Sequence, residues 1–176
     1  WLKDGVKEVI NNLPANLLEK CSDKTSLTDN SGLDLGTATV GKVLYCTRSN
    51  GTYEKPCRIV SGSNSGLTED PNAASHYATS DDPAYFIKDN KVEIKPNPTG
   101  SEPGNVYHVL YPTIVYTDTS ITNFPDEAEY LVVLYASIRA VQEKLANETI
   151  NEDAELYALN SDKYAKLSAE YAKGMA

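Results

Sequence analysis

A chain of 176 residues with 40% hydrophobic side chains is long enough to bury one substantial core and too short for several independent domains. Its 25 acidic residues against 16 basic ones give a formal charge of −9, and no cluster of Lys and Arg supplies the footprint that phosphate neutralisation needs, which argues against tight or sequence-specific nucleic-acid binding. Cys21, Cys46 and Cys57, odd in number and without a CxxC pair, argue against a disulfide framework and against a zinc site.

In chain order, "WLKDGVKEVINNLP" has Leu2, Val6, Val9, Ile10 and Leu13 at helical spacing and predicts an amphipathic helix stopped by Pro14. "PANLLEKCSD" predicts a short second helical piece. The chain lacks an initiator Met and enters at helical rhythm, so it is expected to start inside a longer polypeptide, and "YAKGMA" to continue beyond its last residue. Residues 25–36, "TSLTDNSGLDLG", carry turn and breaker residues and predict a loop. "TATVGKVLYCTR", "SNG" and "TYEKPCRIVSG" then predict two β segments around a turn, with Pro56 near an edge or bulge. Cys46 and Cys57 flank that turn and can face one another; buried free thiols are the expectation. "SGSNSGLTEDPNAASHYATSDDP" predicts mostly loop, with a turn of helix at Asn72 to Tyr77. "AYFIKDNKVEIKP" predicts a hairpin turning at Asp89 and Asn90, and "NVYHVLYPTIVYT" a last long strand.

The chain then becomes helical in "FPDEAEYLVVLYASIRAVQEKLANE". Pro125 suits a first turn, and Asp126, Glu127 and Glu129 suit the positive end of the helix dipole. Between Tyr130 and Val141 only Ser137 and Arg139 are hydrophilic. Ala128, Leu131, Val132, Tyr135, Ile138, Val141 and Leu145 form one stripe, and Val133 and Leu134 extend it around the back. Such a helix is expected to be enclosed on nearly every side. The run falls short of the roughly 18 apolar residues a bilayer requires, so its partner is protein and no membrane is involved. The last helix, Asn151 to about Lys173, is expected to open on a capping box at Thr149 and Glu152. Ile150, Tyr157, Tyr164 and Tyr171 recur every seven residues, but Asp153, Asn160 and Gly174 stand at the other seam position, where only Leu167 suits a coiled coil. This pattern predicts an amphipathic docking helix, packed on its own domain or on a neighbouring subunit.

Helices, then strands, then helices make an α+β fold. The expected organisation is a helical core of residues 1–24 and 125–176, the N-terminal helix plus two C-terminal helices. A central antiparallel β-rich insertion, 25–124, forms one compact unit.

No active site is legible. "GSNSG" has Asn64 where a nucleophile elbow needs serine. "DNSGLDLG" has Leu33 where a calcium loop needs oxygen. His76 and His108 lie in different segments without a second ligand at metal-binding spacing, and His108 reads as a strand residue. Glu69/Asp70 and Asp81/Asp82 precede prolines, where capping of loops explains them. No catalytic residue, cofactor or metal is expected.

The order of features, with particular wording, resembles a head-to-tail adaptor (connector, or neck) protein of tailed bacteriophages. "WLKDGVKEVINNLP" is similar to that group's early helix. "CRIV", a loop with "DPN", "AYFIKDNKVEIKPNP" and "NVYHVLYPTIVYT" are similar to its central β region. "FPDEAEYLVVLYASIRA" is similar to its late helix. The resemblance implies a non-enzymatic virion protein, made in the host bacterial cytoplasm and placed at the head-tail junction. It implies a homo-oligomer, a dodecameric ring, bound to the portal protein and to tail or nozzle proteins, through which DNA passes without specific binding. It implies helices in the ring body, with Val133, Leu134, Tyr157, Tyr164, Leu167 and Tyr171 at subunit or partner contacts. Other neck, tail or baseplate proteins, and a carbohydrate or small-ligand binding module on the β region, are the alternatives.

Overall fold

The computed structural model describes residues 1–115, 117, 120–150 and 154–175, with the backbone alone for 148–150. The fold is α+β, with an N-terminal helix, two central four-stranded sheets and two packed C-terminal helices. Chain contacts divide it into two compact units, Trp1–Cys21 with Tyr111–Ala176, and Ser22–Leu110. The division falls at Ser22 and Leu110, where the expected insertion has 25 and 124.

In the helical unit, α1 (Leu2–Asn12) ends before Pro14 as its sequence requires. A four-residue α2 (Ala15–Leu18) and a 3-10 turn, Glu19–Cys21, follow. The chain returns to this unit for α3 (Asp126–Ile150) and α4 (Ala154–Gly174). Helix α1 packs on α3 through a face in which Val6, Val9 and Ile10 are fully buried. Gly5 lets the helices approach: a Cβ there would stand 3.0 Å from Tyr135 Cδ1 and 3.3 Å from the Val132 carbonyl oxygen. Gly5→Val should therefore cost about 1–3 kcal/mol by overpacking, read as a lower urea midpoint; an unchanged midpoint would show that the helices can part without loss.

The other unit is a pair of four-stranded sheets. Strands β1 (Ser22–Leu27), β3 (Val40–Ser49), β4 (Glu54–Pro56) and β8 (Gly104–Leu110) form the first, in the order β1-β8-β3-β4. Strands β2 (Leu33–Asp34), β5 (Arg58–Ile59), β6 (Ala84–Lys88) and β7 (Lys91–Lys95) form the second, in the order β2-β7-β6-β5. Leu27, Cys46 and Val106 from the first sheet and Tyr85, Val92 and Ile94 from the second make one buried cluster. The β6–β7 hairpin turns at Asp89 and Asn90, whose φ values of 49° and 61° suit the two-residue turn that matches strand twist. Pro56 lies on the edge strand β4, where its missing N–H breaks no ladder.

Four expectations are corrected. Residues 25–36 are not all loop, because Thr25–Leu27 continue β1 against β8 and Leu33–Asp34 pair with β7. The second helical piece stops early, its Ser22 and Asp23 being drawn into that same ladder. The last strand ends at Leu110, since beyond it no described residue pairs with β1 or β3. The β unit is not wholly antiparallel: β5 runs parallel to β6. In addition, Gly62–Thr68 forms a 3-10 helix, and at Asn72 to Tyr77 there are turns, with the Tyr77 N–H on the Ala73 carbonyl. The capping box at Thr149 and Glu152 lies outside the described residues.

Candidate contact surface on the helical unit

Helix α3 starts beside Pro125 with acids in its first turn, and the Glu127 carboxylate accepts a hydrogen bond from Lys20 Nζ that holds its pKa below the ordinary carboxylate value. Its buried side carries Ala128, Leu131 and Val132. Helix α4 docks on α3 along Asn160, Tyr164, Leu167, Ser168, Tyr171 and Gly174, the positions it buries or half-buries. Gln142 Nε2 donates to Tyr164 Oη at 3.3 Å, and the Tyr135 and Tyr171 rings lie tilted with centroids 6.2 Å apart. At the foot of the pair, Asn12, Leu13, Leu17, Leu131 and Met175 line a cleft of about 480 Å³.

The two hydrophilic interruptions in α3 are both absorbed locally. Ser137 Oγ donates to the Val133 carbonyl at 2.8 Å, so its hydroxyl is satisfied within the helix. The Arg139 guanidinium lies 5.4 Å over the Tyr135 ring and donates to Tyr135 Oη and to Gln142.

Among the described residues the enclosure expected of α3 is not complete. Val133 is 60% exposed and Tyr130 50% exposed, and Leu134 is half-buried. Tyr130, Val133, Ser137 and Ala140, spaced alternately by three and four residues, form a face of apolar and small groups with Leu134 beside it, which is the rhythm of a helix-packing seam. The start of α4 adds Leu156, Tyr157 and Leu159, each close to half exposed. Of the six residues expected at contacts, Val133 and Tyr157 thus stand open to solvent and Leu134 partly so. Tyr164, Leu167 and Tyr171 sit half-buried on the face α4 turns to α3. Tyr130, Leu156 and Leu159 join the exposed set without having been expected there; Leu156 and Leu159 escape a search confined to sevenfold recurrence.

Tyr171 differs from its neighbours. Its hydroxyl is buried without a hydrogen-bond partner among the described residues, and burial, with Glu8 nearby, raises its pKa. Tyr171→Phe should raise the stability of the helical unit by up to about 1 kcal/mol, because it removes a polar group that was desolvated without compensation. A clear loss in thermal denaturation would mean that the hydroxyl is bonded in solution.

The groups with chemical potential elsewhere are tied up. His108 is buried; its Nδ1 donates to the Val109 carbonyl at 3.1 Å, and its Nε2 lies 3.0 Å from Thr25 Oγ1. His76 lies between Ser75 Oγ and Asn64 Nδ2, in a loop held by Arg58, which donates to Asp82 and to the His76 and Tyr77 carbonyls. Among the described residues no group of three His, Cys, Asp or Glu could hold a metal ion, and no helix is long and apolar enough to cross a membrane. On the first sheet, Tyr45 and Tyr107 stack at 4.4 Å, and Tyr45 is nearly half exposed. Compared with models of known protein families and with curated proteins, the sequence matches none of them.

Proposed function

We propose that this chain is a structural subunit of a tailed-phage virion, a head-to-tail adaptor that acts by forming a ring between portal and tail and performs no catalysis. The observation that carries the reading is the seam on α3: Tyr130 and Val133 are exposed near the start of a helix that packs elsewhere against α1 and α4. A single chain leaves this apolar face in water, whereas a ring covers it with the neighbouring copy. The ordered likeness of the early helix, β region and late helix to adaptor proteins supplies the location. The charge of −9 fits a channel that lets DNA slide without gripping it, since like charges repel phosphates.

The test is the mass of the purified protein alone and mixed with its portal, by native mass spectrometry or light scattering. A defined multiple on the portal is the expected result; a monomer that ignores the portal would overturn the adaptor reading. A second reading, a carbohydrate-binding module, draws on the stacked Tyr45–Tyr107 pair, because exposed aromatic faces stack on sugar rings. Glycan-array binding lost in Tyr45→Ala would favour it.

A further inference from the structure

The β3–β4 ladder ends at Thr47 paired with Pro56, and continuing its register by one residue sets Cys46 opposite Cys57. The Cys57 N–H donates to the Cys46 carbonyl at 2.9 Å. Opposed residues that share a backbone hydrogen bond in an antiparallel pair have Cα atoms about 5.5 Å apart, within the roughly 4.4–6.8 Å that a disulfide spans. Opposed residues also point to the same face of a sheet, and both thiols belong to the same core, Cys46 within the buried cluster and Cys57 packed against it. Their place in the chain is special. Cys57 is the single residue between β4, in the first sheet, and β5, in the second.

We infer that Cys46 and Cys57 form a redox staple, closed to an intrachain disulfide by a small-molecule disulfide, which ties β3 to the point where the chain crosses between sheets. The Cys57 thiolate attacks one sulfur of the oxidant, forming a mixed disulfide and releasing one small thiolate. The Cys46 thiolate then attacks the Cys57 sulfur and expels the second. The two cysteine protons end on the two released thiols, and the oxidant is reduced by two electrons. Cys57 reacts first because it is half-buried and Cys46 is fully buried. Burial pushes the Cys57 thiol up to about 12, against the opposing pull of the Arg48 charge, and pushes the Cys46 thiol up as well. Closure from the folded state is therefore slow, and the packing that slows it also shields the closed bond from reductants.

The test is to unfold the reduced protein, refold it in buffer with excess oxidised glutathione, alkylate the remaining thiols and map the peptides. The expected product has Cys46 linked to Cys57 within one chain and Cys21 alkylated. The melting temperature of the sheet unit should exceed that of the reduced protein by roughly 5 °C or more. That rise should persist in Cys21→Ser and vanish in Cys57→Ser or Cys57→Ala. Three alkylated thiols after refolding, a lasting glutathione adduct on Cys57, or a link to Cys21 or to another chain would each overturn the inference. None of these outcomes depends on whether the protein binds a portal.

Discussion

Val133→Glu should leave the isolated chain folded and abolish its assembly. The side chain is 60% exposed on α3, so a carboxylate there stays hydrated in the monomer, and its effect on stability should remain within about 0.5 kcal/mol. In a ring the same carboxylate would be buried against a neighbour without a cation. An unpaired charge so placed costs several kcal/mol, so each contact should weaken by at least about 100-fold. Thermal melting followed by circular dichroism and light scattering with the portal separate the two effects. Leu134→Glu, at a half-buried position, should lose stability as well as assembly. Rings of Val133→Glu indistinguishable from wild type would remove the α3 seam from the interface.

Arg48→Ala should destabilise the sheet unit by about 3 kcal/mol, through lost charge-assisted hydrogen bonds and an emptied buried site. The Arg48 side chain is 2% exposed; its Nη2 donates to Glu102 at 2.7 Å, its Nε to the Pro96 carbonyl and its Nη1 to the Ser49 carbonyl, each at 2.9 Å. One planar fork thus holds the end of β3 to the segment that leads into β8. Lysine cannot reproduce that geometry, so Arg48→Lys should recover only part of the loss. Glu102 is one-third exposed and can return to water when its partner goes, so the carbonyls left without donors account for most of the cost. Urea denaturation gives the magnitude, and hydrogen exchange should localise it to residues 40–49 and 96–105. A wild-type midpoint in Arg48→Ala would mean that solvent replaces the guanidinium without penalty.

Some of this was legible residue by residue. Asp89 and Asn90 between alternating strands specify their own turn. Leu2, Val6, Val9 and Ile10 before Pro14 specify a helix and its end. Other parts carried too little local signal. In β1, "SDKTSL", only Leu27 is buried, because an edge strand need satisfy a core at few positions, so it reads as loop. Arg48, in "YCTRSN", looks like the wet end of a hairpin. It is buried because Glu102 and the Pro96 and Ser49 carbonyls close around its guanidinium, partners that lie mostly some fifty residues further along the chain.

The candidate surface divides in the same way. The composition of Tyr130 to Val141 announces that α3 has more apolar surface than a one-sided helix, since periodicity is a property of the local chain. Which faces are covered is a relation between distant segments. Helix α1, more than a hundred residues earlier, takes one side of α3, and α4 takes another with Tyr164, Leu167 and Tyr171. The sequence by itself determined the α+β order, the greasy helix and the two cysteines that flank the hairpin turn. Only tertiary structure decided that Val133 and Tyr130 remain uncovered, that the strands split into two sheets at Cys57, and that Tyr164 and Tyr171 face their own chain while Tyr157 does not. Burial depends on what a face meets, and no local pattern encodes that.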